Sequence, residues 1–134
     1  MYRPLSGQGE KMFEKGDQEW HDRMLNSWAK ALIQNGFTSV RLSLSDSPNK
    51  PDQVGQHIPD LMAISPQNQK VIGEVKTPND IDKDHTKEQL NDYVRSGSKV
   101  MLLVPEKSVA VARGALEKWG FDNKIVELWQ STIA

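Results

Sequence analysis

Ile58-Pro59-Asp60-Leu61-Met62-Ala63-Ile64, then Ser65-Pro66-Gln67-Asn68-Gln69, then Val71-Ile72-Gly73-Glu74-Val75-Lys76: two apolar runs of strand length flank a polar turn. The pattern predicts an antiparallel hairpin. Each run also carries charge in an apolar setting, Asp60 in the first and Glu74 with Lys76 in the second. Side chains alternate across a strand, so Ile72, Glu74 and Lys76 share one face, and Val71, Gly73 and Val75 the other. Asp60 shares its face with Ile58, Met62 and Ile64. A charge on a strand that is apolar on both faces costs free energy unless it is paired or bound to metal. Two carboxylates meeting across such a hairpin make a hard, oxygen-rich site suited to Mg²⁺, and a lysine beside it can position or deprotonate a water. The register must set Asp60 opposite Glu74 or Lys76, because a slip of one residue would point the carboxylates to opposite faces.

The rest of the chain frames this hairpin. Residues 1–15, with Pro4, Gly7 and Gly9, read as a loose arm. Gly16-Asp17 opens a helix that runs to about Asn35, with Gly36 as its C-cap. Thr38 to Ser45 alternates apolar and polar residues and is a strand. Asp46 to Gln56, rich in Pro, Asn, Asp and Gly, is a long loop. After the hairpin, Thr77-Pro78-Asn79-Asp80 breaks the chain, and a second helix spans about Asp84 to Ser96. Val100 to Val104 is all apolar, as in a strand buried on both faces. A third helix runs from about Pro105 to Trp119, and Ile125 to Trp129 is a last strand. The order α-β-β-β-α-β-α-β predicts an α/β fold, a mixed sheet flanked by helices, in a single domain spanning residues 1–134.

At 134 residues the chain can bury one sizeable core. There are no cysteines, which excludes disulfides and thiolate metal sites. No run reaches membrane-spanning length and no apolar leader is visible, so the expected location is the cytoplasm, with no membrane partner. The formal net charge is −1, which counts against tight non-specific nucleic-acid binding, since phosphate neutralisation drives that. It counts less against a site that is itself acidic.

Asp60 at the head of one strand, preceded by Pro59, and Glu74-Val75-Lys76 closing the next resemble the motif of the PD-(D/E)xK, or restriction-endonuclease-like, nuclease superfamily. The shared αβββαβ core of that superfamily is the order read above, covering roughly Asp17 to Val104, with the last helix and strand as an extension. The resemblance implies a deoxyribonuclease that hydrolyses DNA phosphodiester bonds with a metal-activated water. It implies that Asp60 and Glu74 bind Mg²⁺ or Mn²⁺, and that Lys76 helps activate the water or holds the scissile phosphate. Gln89 and Tyr93, one turn apart on the second helix, are similar to the Gln-x-x-x-Tyr pattern of the RecB-type branch, where the pair places substrate or the lysine. Their alternative is a polar and an amphipathic residue flanking a packed Leu90/Val94 stripe. The alternative for the whole chain is an inactive nuclease-like fold that binds nucleic acid or protein.

On the first helix, at about 100° per residue, the apolar face through Trp20, Met24, Trp28 and Leu32 also carries Asp17 and His21, while Glu19 points to solvent. Because RecB-type enzymes often place a histidine here, His21 is the candidate third metal ligand; its alternative is a satisfied histidine at the helix–sheet boundary. Glu14 would face inward if the helix began earlier. His57 precedes the motif on a loop, and His85 reads as solvated. Trp20, Trp28, Trp119 and Trp129 fall at core or interface spacing rather than forming base-stacking platforms. Lys124 to Ala134 carries Ile125, Val126, Leu128, Trp129 and Ile133 in an edge-strand-like run and is the candidate interface of a homodimer; the alternative is that it completes its own sheet.

Overall fold

The computed structural model describes residues 6–134, with side chains from residue 17 onward. Helix α1 spans Ser6–Gln34, ten residues longer at its start than the sequence predicts. Of the expected arm, residues 6–15 are therefore helical, and residues 1–5, like the side chain of Glu14, lie outside what is described. Glu10 to Lys15 are mostly strong helix formers, and the two glycines fall in the first turn, where the amides lack helical partners in any case. Gly36 ends the helix with φ of 91°, the left-handed conformation expected of a C-terminal cap.

Strands β1 (Thr38–Leu42), β2 (Leu61–Ile64) and β3 (Lys70–Val75) follow, then α2 (Asp84–Arg95), β4 (Lys99–Pro105), α3 (Val109–Lys118) and β5 (Val126–Ser131). Short 3₁₀ turns at Pro78–Asp80 and Glu106–Ser108 enter the crossovers. The element order is the one predicted. The five strands form one mixed sheet in chain order: β1, β2 and β3 are antiparallel, and β4 and β5 add in parallel. Both parallel connections carry a helix, as parallel pairing requires.

Two cores sandwich the sheet. Met24, Leu25, Trp28 and Leu32 of α1 pack on Leu61, Ala63, Val71, Val75, Met101 and Leu103. Leu90 and Tyr93 of α2, with Ala112 and Leu116 of α3, cover Met62, Ile72, Val100, Leu102, Val104 and Val126. Alternation along β2, β3 and β4 therefore sends successive apolar residues to opposite layers. Each fully buried Leu, Ile or Met contributes roughly 1.5–3 kcal/mol by leaving water. Gly73 marks where α1 lies closest: a Cβ there would stand 2.9 Å from the Trp28 indole.

The hairpin register pairs Leu61 with Gly73, Met62 with Ile72 and Ala63 with Val71. Continued one step, it sets Asp60 opposite Glu74, one of the two registers that the shared-face reading allows. Strand β2 starts at Leu61 rather than Ile58. The reason is local: the Asp60 carboxylate accepts the Val75 N–H at 2.8 Å, so a side chain takes the place of the next ladder bond.

Strand β5 completes its own sheet, the alternative to an interface. Val126 is buried, Leu128 packs on the α2–α3 core, and Trp129 and Ile133 pack on the α1 core. The Trp28 and Trp129 rings sit 5.9 Å apart. Trp28 is a core residue and the other three tryptophans are partly buried against the two cores, as their spacing predicts. No helix among the described residues is long and apolar enough to cross a membrane.

Candidate active site

The hairpin delivers Asp60, Glu74 and Lys76 to one end of the sheet. There they line an open cleft of about 540 Å³ together with Asp17, Gln18 and His21 of α1, Ser43, and the Thr77–Asp80 turn. Glu74 is 3% exposed and Lys76 8%, so both charges are taken almost wholly out of water. Lys76 Nζ stands 3.6 Å from Glu74 Oε2, and Tyr93 O–H donates to Glu74 Oε1 at 3.0 Å. Each Glu74 oxygen thus has one cationic or donor partner.

Asp60 lies where β2 begins and turns toward the opposite layer. Its Oδ2 faces His21 Nε2 at 3.1 Å, while His21 Nδ1 faces Asp22 Oδ1 at 3.0 Å. The Asp60 and Glu74 carboxyl groups also lie close enough for each to shift the proton affinity of the other. The site is therefore a chain of groups through the end of the sheet, from α1 through Asp60 and Glu74 to Tyr93 on α2.

This chain sets the protonation states. Burial, followed by the charge of Asp60, pushes the Glu74 carboxyl well above the usual range, against the pull of Lys76 and Tyr93. Burial acts on Asp60 in the same direction, but the His21 ring and the Val75 amide outweigh it and hold Asp60 below its ordinary value. For His21, burial alone would favour the neutral ring. The Asp60 and Asp22 carboxylates, one on each ring nitrogen, outweigh burial and raise it to about 9. Of the two carboxyl groups, Glu74 therefore holds a proton more readily than Asp60, and the His21 ring is the counter-charge of Asp60. Neighbouring carboxylates repel each other, and here His21 beside Asp60 and Lys76 beside Glu74 offset that repulsion.

The donor set suits a hard divalent cation. Among the described residues no three His, Asp or Glu side chains converge as a ready metal cage, so the protein offers two carboxylates. Mg²⁺ commonly accepts one or two carboxylates and completes its shell with water. A cation there would add to the positive charge that His21 and Lys76 already bring to the two carboxyl groups. Both nitrogens of His21 already face carboxylates, so ligation through Nε2 would first require loss of the imidazolium proton.

The sequence-predicted residues thus separate. Asp60, Glu74, Lys76, His21 and Tyr93 are joined by hydrogen bonds or ion pairs. Gln89 is 8% exposed, hydrogen-bonds none of them, and leaves its Oε1 without a partner among the described residues. The sequence reading passed over Asp22, the second partner of His21, for which simple adjacency was a signal. It also passed over Asn79, which donates to Asp17 at 3.2 Å and ties the turn after β3 to α1. His57 is no isolated loop histidine: its Nδ1 lies 2.9 Å from Asp92 Oδ2, which also accepts the Gln56 N–H, so the loop before the motif is fastened to α2. No protein-family model matches the chain, and no curated protein or solved structure matches it.

Proposed function

We propose that the chain is a Mg²⁺- or Mn²⁺-dependent deoxyribonuclease that hydrolyses DNA phosphodiester bonds. The observation that carries this reading is the meeting of the Asp60 and Glu74 carboxyl groups at the hairpin end, with Lys76 3.6 Å from Glu74. A buried carboxyl beside a second, half-buried one is costly in a structural role, whereas a cation site needs both. A bound divalent ion would supply Lewis-acid stabilisation of the charge that builds on the phosphate, and would lower the pKa of a nearby water.

The chain's own residues do the rest. Asp60 and Glu74, both on the wall of the cleft, would hold the ion. Lys76, which lines the same cleft beside Glu74, would offer its ammonium to a phosphate oxygen or to the attacking water. Tyr93 fixes Glu74, and His21 fixes Asp60. DNA is the partner of this reading. Two sites would be needed to cut both strands, and a homodimer would supply them; light scattering at micromolar protein tests that assembly.

The test of the activity is incubation with supercoiled, linear, single-stranded and branched DNA in Mg²⁺, Mn²⁺ or EDTA. Cleavage in the metal buffers and none in EDTA is expected, with Lys76→Ala losing cleavage while still binding Mn²⁺. Wild-type protein that leaves all four DNAs intact, or that cuts them in EDTA, refutes the reading. Binding without cutting would assign the chain instead to a nuclease-like binding module.

A further inference from the structure

A second cavity, of about 340 Å³, opens beside the acidic cleft. Its size is at the lower end of the range for small-molecule pockets. The two share a wall. Trp20 lines the cavity and its neighbour His21 the cleft, while Pro78 lines the cavity between Thr77 and Asn79 of the cleft. The floor is formed where β4 and β5 end, at the paired residues Pro105 and Ser131. This is the carboxyl edge of the parallel part of the sheet, where open α/β sheets receive ligands.

The walls are of two kinds. Trp20, Pro78, Pro105 and Ile133 are apolar, and the Trp20 indole is pinned by its N–H, which donates to the Ile133 carbonyl at 3.0 Å. Lys107 and Ser108, at the start of the ten-residue α3, line the same cavity. Ser108 is 7% exposed. As the N-cap residue it makes no side-chain capping bond, and its hydroxyl has no hydrogen-bond partner among the described residues. A serine that is largely buried and makes no capping bond, at the positive end of a helix and beside a lysine, is equipped for an anionic oxygen. Glu106 on the same rim opposes a free anion, and this favours a ligand whose apolar part also contributes to binding.

We infer that this cavity holds one unpaired nucleotide of the DNA strand, adjoining the phosphate at the acidic cleft. The base lies against Trp20 and the prolines, and the phosphate meets Ser108, Lys107 and the start of α3. The inference rests on the nuclease reading for the choice of ligand and gives that reading a substrate class: single-stranded or frayed DNA, because a paired base stays stacked within its duplex. It also gives Trp20 the base-stacking role that its spacing alone did not suggest.

The test is titration of the whole chain with dTMP in EDTA, followed by ¹H–¹⁵N NMR. Expected are saturable shifts at the Trp20 indole N–H and at the Ser108 and Val109 amides, with thymidine and inorganic phosphate each binding at least tenfold more weakly. Ser108→Ala should weaken dTMP roughly three- to tenfold, and Trp20→Leu, checked for folding by its spectrum, roughly tenfold. No saturable shift at millimolar dTMP, shifts confined to the Asp60–Glu74 cleft, or phosphate binding as tightly as dTMP overturns the inference. The titration needs neither metal nor turnover. Nucleotide binding by a protein that cuts nothing would therefore refute the nuclease reading alone, and cutting without these shifts would refute the nucleotide cavity alone.

Discussion

His21→Ala separates a counter-ion from a passive packing residue. The His21 ring is 20% exposed and lies between Asp60 and Asp22, which raise its pKa from 6.5 to about 9. At about 1.36 kcal/mol per unit, that difference corresponds to about 3 kcal/mol of coupling between protonation and folding. The folded pKa lies above the unfolded one, so the native state holds the proton more tightly. The stabilisation is fully present below pH 6.5 and is lost as pH rises from there through about 9. His21→Ala should therefore cost about 3 kcal/mol more near pH 6 than near pH 9.5, where both proteins lack the charge. Urea denaturation at the two pH values measures this, and NMR titration of the imidazole carbon-bound protons measures the pKa directly. Mg²⁺ held by Asp60 would share the charge that His21 now neutralises, so the titration should move down when Mg²⁺ is added. A wild-type His21 that titrates near 6.5, or a destabilisation equal at both pH values, would show that Asp60 and His21 are not an ion pair.

Three further outcomes follow from the same geometry. Asp60→Asn should abolish Mn²⁺ binding with little change in the fold, because it relieves the repulsion on Glu74; unchanged Mn²⁺ affinity by calorimetry removes Asp60 from the ligand set. Tyr93→Phe leaves Glu74 Oε1 without its donor and should cost about 1–3 kcal/mol in urea denaturation, so a neutral result means that the hydroxyl is not holding Glu74. Gly73→Ala drives a methyl against the Trp28 indole, 2.9 Å away. It should destabilise by about 1–3 kcal/mol, and a stability equal to wild type would mean that α1 is not seated on β3.

The pattern of what was legible is physical. The hairpin, the even parity of its register and the shared end of Asp60 and Glu74 rest on an alternation of period two and a short turn, and local sequence states both; the choice of Glu74 over Lys76 opposite Asp60 came from the structure. The helix face carrying His21 follows from helical periodicity in the same way. The start of α1 was misplaced because Gly7 and Gly9 resemble a loop, while a helix tolerates them in its first turn. Gln89 illustrates the opposite limit: its spacing from Tyr93 puts both on one helix face, yet only Tyr93 hydrogen-bonds Glu74.

From the sequence by itself came the order of elements, the two layers of apolar residues and the presence of two carboxylates and a lysine at one end of a hairpin. Each of these depends on neighbours within a few residues, so propensity and periodicity suffice to state it. The tertiary structure alone decided that Asp60 turns to His21, 39 residues away, and that β5 is consumed by its own sheet. It alone brought Trp20 and Ser108, 88 positions apart in the chain, to the lining of one cavity. Those arrangements are fixed by how α1, α3 and the sheet pack on one another, and packing between distant segments leaves no periodic trace in the chain.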